Sequence, residues 1–138
     1  YAFQLGKGVT LRQGSDATVI AVGLMVQEAM KAAEALAAQG VSLRVIDMHT
    51  IKPLDEALVL QAARETGCVV TTEEHSVIGG LGSAVAEYLS GVCPVPVVRH
   101  GVEDLFGRSG KAAEVLAAYG LTAEGIADKV SAALALKK

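Results

Sequence analysis

The stretch Cys68-Val69-Val70-Thr71-Thr72-Glu73-Glu74-His75-Ser76-Val77-Ile78-Gly79-Gly80-Leu81-Gly82-Ser83-Ala84-Val85-Ala86-Glu87 contains the reading on which the fold turns. Cys68 to Thr72 is rich in β-branched residues and predicts a strand. That strand ends in two carboxylates and a histidine. Three glycines then allow a tight turn, because glycine carries no Cβ. Gly82 to Leu89 predicts a helix of small residues. A strand, a glycine turn and a helix form one half of a βαβ unit. In an open α/β sheet, binding groups gather at the carboxyl ends of the strands. The helix start would aim its free N–H groups at the same place.

The pattern repeats outward in both directions. Val9 to Gln13, Gly14-Ser15-Asp16 and Ala17 to Gly23 read as strand, turn, strand. The first strand alternates and is short, as an edge strand is. The second is nearly all apolar, as buried central strands are. Leu24 to Gln39 predicts a helix whose stripe is Val26, Met30, Ala33 and Ala37, stopped by Gly40. Val41 to Met48 is the next strand. Pro53 suits the first turn of a helix that runs to about Glu65, with Asp55 and Glu56 near its positive end. Gly67 closes it. Pro94 and Pro96 flank a strand around Val97 and Val98. Ser109 is a cap for a helix over Lys111 to Ala118, closed by Gly120. A last helix starts near Thr122 and runs to about Leu136. The order β-β-α-β-α-β-α-β-α-α predicts a three-layer α/β domain. Its sheet has about five strands, mostly parallel, with helices on both faces. Tyr1 to Gly8 reads as a connector, and residues 9–138 as the domain itself.

Composition narrows the function classes. The chain has 138 residues, 51% of them apolar and 4% aromatic, and a net charge of −3. One core of Ala and Val between sheet and helices fits those proportions. No basic run exists outside Lys137-Lys138, which argues against nucleic acid. No apolar run reaches the ~18 residues of a membrane helix. Cys68 and Cys93 both lie beside predicted strands and read as buried free thiols, which fits a reducing cytoplasm.

The polar clusters each admit two readings. Glu73, Glu74 and His75 form either an acid/base cluster or strand-end groups that fix the next loop or meet a partner. The second fits better, since no nucleophile stands beside them. Gly80-Leu81-Gly82-Ser83-Ala84-Val85 resembles a dinucleotide fingerprint. It lacks the last small residue and comes after the wrong strand. Asp47, His49 and Lys52 before Pro53 read as a solvated loop. Arg99, His100, Glu103, Asp104, Arg108 and Ser109 read as a second polar loop. There, Arg108 and the N–H groups from Ser109 form either an anion site or a capped helix. A zinc-type ligand spacing and a Gly-x-Ser-x-Gly elbow are both missing from the sequence. No residue is assigned as catalytic, cofactor-binding or metal-binding. The candidate interface or anion site comprises Glu73, Glu74, His75, Gly79, Gly80, Gly82, Arg108 and Ser109.

Four segments in order carry a family resemblance: Leu11 to Gly23, Val45-Ile46-Asp47-Met48-His49-Thr50-Ile51-Lys52-Pro53-Leu54-Asp55, Thr72 to Ala84, and Arg99-His100-Gly101-Val102 with Phe106-Gly107-Arg108-Ser109-Gly110. Together they span nearly the whole chain. The chain resembles the C-terminal domain of transketolase-like, thiamine-diphosphate-dependent enzymes. Within that family it most resembles the C-terminal section of split transketolases. The likeness to deoxyxylulose-5-phosphate synthase and to the beta subunit of 2-oxo-acid dehydrogenases is more distant. The Leu11–Gly23 segment looks like the family's opening hairpin.

The resemblance implies a mainly parallel sheet with one antiparallel strand near its start, and that Tyr1 to Gly8 is the tail of a linker from a preceding domain. It implies that thiamine diphosphate and Mg²⁺ belong to other domains of the parent enzyme and are not bound by this one. It further implies a cytoplasmic transferase of carbohydrate metabolism, transferring two-carbon ketol units between sugar phosphates. In it this domain serves assembly and dimerisation with the catalytic domains or subunit, and is inactive alone. The alternative is a stand-alone module that binds a nucleotide or phosphorylated effector through the glycine turn or the Arg108-Ser109 helix start.

Overall fold

The computed structural model describes residues 6–51, 53–76, 80–102 and 121–137; of residues 75, 76 and 102 it describes the backbone. Five strands form one sheet: β1 (Val9–Arg12), β2 (Ala17–Ala21), β3 (Leu43–Asp47), β4 (Val69–Ser76) and β5 (Val97–Val102). Four helices are described: α1 (Met25–Ala37), α2 (Glu56–Thr66), α3 (Leu81–Val92) and α4 (Ala123–Leu136). The strand order is β1-β3-β2-β4-β5. β2 is therefore the central strand and β1 an edge, as their patterns predict. All neighbours are parallel except β1, which runs antiparallel to β3.

The helices cover the sheet in pairs. Ala17, Val19 and Ala21 of β2 pack with α1 and α4 on one face. Ile20 packs with α2 and α3 on the other. This is the period-two alternation of a strand buried on both sides. The core residues are mostly Ala and Val with a few Leu, Ile and Met, so the helices lie close to the sheet without large aromatic spacers.

Several sequence expectations are corrected here. β1 and β2 do not form a hairpin, because β3 lies between them. The connecting residues 14–16 cross the amino end of β3 and are fixed to it. Asp16 N–H donates to the Ser42 carbonyl at 2.8 Å, and Ser42 N–H donates to Asp16 Oδ2 at 2.7 Å. The buried stripe of α1 is Met25, Ala29, Ala32, Ala33 and Leu36, while Ala37 is exposed. The helix is thus rotated by about one position from the predicted stripe, although Val26 and Met30 still flank the core. Gly40 does close α1: its N–H and that of Val41 donate back to Ala37 and Leu36. Pro53 lies before the helix rather than in its first turn. Asp55 is the cap of α2, accepting from Leu58 N–H. Its second oxygen accepts from Gly8 N–H at 2.9 Å, tying the start of the described chain to α2. Thr122 caps α4 by accepting from Gly125 N–H. The predicted helix over 111–118 lies outside the described residues.

Both thiols are free. Cys68 is buried and Cys93 half-buried. Burial is the main cause that pushes the Cys68 thiol above its ordinary value of 9.0; nearby Lys137 opposes the shift and Asp16 adds to it. A thiol whose pKa is raised by folding favours the folded state below the ordinary value. That contribution fades as pH climbs above it. We expect Cys68 to resist iodoacetamide in the native chain at pH 8, with Cys93 alkylated first. Peptide mass spectrometry after timed labelling checks this. Equal labelling of both thiols without denaturant would show that the Cys68 environment is open.

Candidate functional site

The carboxyl ends of β2, β3, β4 and β5 lie side by side because the strands are parallel. β4 is the longest of the strands, and it carries Glu73, Glu74 and His75 within it rather than after it. Its ladder with β2 ends at Ala21 and Thr72. Its ladder with β5 is interrupted between Thr72 and Ser76. Over that interval β4 advances four residues while β5 advances two, from His100 to Val102. Glu73, Glu74 and His75 therefore sit on a bulge, a device found beside functional sites, where it re-aims side chains.

The two glutamates point to opposite faces of the sheet, and each meets a helix start. Glu73 is 1% exposed. Leu81 N–H donates to its Oε1 and Gly82 N–H to its Oε2, each at 2.9 Å. These are two of the four N–H groups that the first turn of α3 cannot satisfy internally. A carboxylate there also meets the positive end of the helix dipole. Glu74 is half-buried on the other face, where its Oε1 accepts from Leu24 N–H at 2.9 Å at the start of α1. The chain's own carboxylates thus fill both helix starts beside β4.

Gly82 permits the closeness of this packing. A Cβ at that position would lie 2.8 Å from both Thr71 Oγ1 and Arg99 Cγ. Thr71 is fully buried, and its hydroxyl has no hydrogen-bond partner among the described residues. Gly80 is the residue preceding α3, in extended conformation. The glycine-rich turn is therefore a close-packing device at its described end, and α3 offers no open cradle there for a pyrophosphate. Of the other predicted site residues, His75 is placed by its backbone in β4. Gly79, Arg108 and Ser109 lie outside the described residues.

Three polar residues of segments that read as loops, Asp47, Thr50 and His100, are buried. Arg99 and His100 are in β5. His100 is 4% exposed, and its Nδ1 lies 3.0 Å from Thr72 Oγ1. Asp47 and Thr50 are likewise buried, at 9% and 8% exposure, so the described residues before Pro53 are not a fully solvated loop; Lys52 lies outside the described residues. Nothing in the local pattern signals the Thr72–His100 pair, because the two residues are 28 positions apart. At the opposite end of the sheet, Arg44 is bonded to Glu65 at 2.8 Å, and its Nε donates to the Gly14 carbonyl at 3.2 Å. The Arg44 hydrogen bond is the main reason the Glu65 carboxyl is held below its ordinary value, with Gln61 assisting. Glu65 is exposed at the surface, so this pair is worth little to stability.

The described residues do not fit a diphosphate and Mg²⁺ site. The α3 start is taken by Glu73. Among the described residues, no group of three or more His, Cys, Asp and Glu could hold a metal. Among them, too, no helix is long and apolar enough to cross a membrane.

Known proteins share this architecture. The "6-deoxy-6-sulfo-D-fructose transketolase subunit SqwH" of Clostridium sp. (strain MSTE9) is 53% identical over 124 residues, covering 90% of this chain and 38% of that protein. A "1-deoxy-D-xylulose-5-phosphate synthase 1" of Geobacter sulfurreducens is 43% identical over 135 residues, covering 96% of this chain and 21% of that one. The solved structure described as "Split gene transketolase, inactive beta4 tetramer" superposes with a TM-score of 0.96 at 50% identity. It covers all of this chain and 45% of its counterpart. The chain thus spans less than half the length of each of these relatives. The sequence model of the family described as "Transketolase, C-terminal domain" matches residues 6–126. With that match, this sheet order and these relatives, the chain belongs to the transketolase C-terminal domain family.

Proposed function

We propose that this chain is the assembly and dimerisation domain of a thiamine-diphosphate-dependent transketolase-type enzyme. The parent enzyme would be a cytoplasmic transferase that moves two-carbon ketol units between sugar phosphates. The domain, residues 9–138, would not catalyse alone, and residues 1–8 would be the tail of a linker. Its partners would be the catalytic domains or subunit of the same enzyme and a second copy of the assembly. Thiamine diphosphate and Mg²⁺ would be held by those partners.

The observation that carries this reading is the use of Glu73 and Glu74. At the edge where an α/β domain offers groups to a ligand, both carboxylates bond the chain's own helix starts. An anionic nucleotide would have to displace Glu73 to reach α3. Leu24, 51% exposed at the same edge, is the type of apolar group that a partner surface covers. Support also comes from the relatives, in which this domain is a minor share of a longer protein.

The test is sedimentation velocity of the chain alone and mixed with a matching catalytic portion, run beside a transketolase assay with thiamine diphosphate and Mg²⁺. Activity should appear, or rise sharply, only in the complex. Glu74→Ala and His75→Ala should weaken association and leave the cofactor affinity of the catalytic portion nearly unchanged. A catalytic portion that works unaided, with this chain sedimenting apart, would refute the assembly role. Lost turnover with intact association would instead point to a direct catalytic part for these residues.

A further inference from the structure

We propose that the carboxyl end of β4 is a two-sided latch that couples the starts of α1 and α3 across the sheet. The coupling follows from how Glu73 to His75 are held. The β2 ladder has ended at Thr72, and the β5 ladder is broken until Ser76. Regular pairing therefore does not fix this three-residue segment. Its described anchors are the side chains of Glu73 and Glu74. Glu73 bonds Leu81 and Gly82 on the α2–α3 face. Glu74 bonds Leu24 on the α1–α4 face.

Adjacent residues on one strand share a peptide unit, so a backbone rotation at one glutamate is carried to the other. If Glu74 loses Leu24, the bulge loses one of its two described anchors, and the geometry of Glu73 at α3 relaxes with it. A bulge has no second ladder to absorb the shift. The arrangement has a consequence for contact at the surface. Leu24 is exposed and Glu73 is not, so a molecule pressing on the start of α1 would be felt at α3 through β4. The latch is a property of this chain and does not depend on the assembly role.

Amide hydrogen exchange of the 138-residue chain tests it. Glu74→Ala removes the exposed anchor and keeps the buried one. Exchange should quicken at Leu24, and also at Leu81 and Gly82 on the far face, by about fivefold or more. Ala62, in the interior of α2, is the reference and should not change. Glu74→Gln retains an acceptor for Leu24 N–H and should keep all three amides protected. Faster exchange at Leu24 alone would overturn the proposal. A uniform rise that includes Ala62 would overturn it too, because that is loss of global stability rather than coupling.

Discussion

Replacing Glu73 with alanine should cost the fold about 3–4 kcal/mol, more than truncation of any other polar side chain at this edge. The carboxylate is 1% exposed and satisfies two backbone N–H groups of α3. Water cannot take over that task in a closed site. Each buried donor left unmade costs about 1–3 kcal/mol, and lost helix capping adds about 1 kcal/mol. For a domain of this size the thermal midpoint should fall by about 10 °C. Urea titration and a thermal melt of the variant check both figures. Glu73→Gln separates capping from space-filling. It keeps the volume but turns an amide donor toward a backbone donor. It should therefore recover well under half of the loss. Full recovery by glutamine would mean that the carboxylate mainly fills space.

Gly14→Ala should destabilise the domain by about 3 kcal/mol through direct conflict with backbone. A Cβ at Gly14 would fall on the carbonyl carbon and oxygen of Leu43 and the amide nitrogen of Arg44. Those atoms begin β3, an inner strand of the sheet, and have no side-chain freedom with which to yield. The Gly14 carbonyl also receives Arg44 Nε. A shift of residue 14 therefore loosens the clamp between the β1–β2 connection and β3. Denaturant midpoints for Gly14→Ala and for Gly40→Ala make the comparison. A Cβ at Gly40 would meet nothing within 4 Å, so that variant reports backbone strain without a clash. Gly14, unlike Gly40, is not in a left-handed conformation, so a negligible loss at Gly14→Ala would show that β3 yields to the added methyl and that close approach is not what Gly14 supplies.

The two glycine-bearing turns show what pattern reading can reach. Gly14-Ser15-Asp16 carries turn chemistry, and a turn does occur there. A hairpin and a bridge over an inserted strand use the same residue types, however, and local sequence does not say which strand lies beneath. The contact that decides it joins residues about 27 positions apart. The tight approach of helix to strand at Gly82 is legible in the glycine pattern. Its reading as an anion cradle was not resolvable, because that depends on whether a side chain already occupies the helix start. Glu73 is eight residues before Leu81, and only the bulge in β4 aims it there. Asp47 reads as part of a solvated loop and His100 as part of a polar loop for the same reason: their burial is set by neighbouring strands and helices.

The sequence by itself determined the alternation of strands and helices, the central place of β2, the edge place of β1, the helix start near Thr122, and the family likeness. These are local properties, fixed by side-chain period, by glycine and by hydrogen bonds that reach three or four residues. Tertiary structure alone decided that β3 comes between β1 and β2, which face of α1 is buried, and where the charges of β4 go. Each of those depends on atoms far apart in the chain competing for one position. The winner is the arrangement that closes the sheet while leaving the buried carboxylate of Glu73 fully bonded.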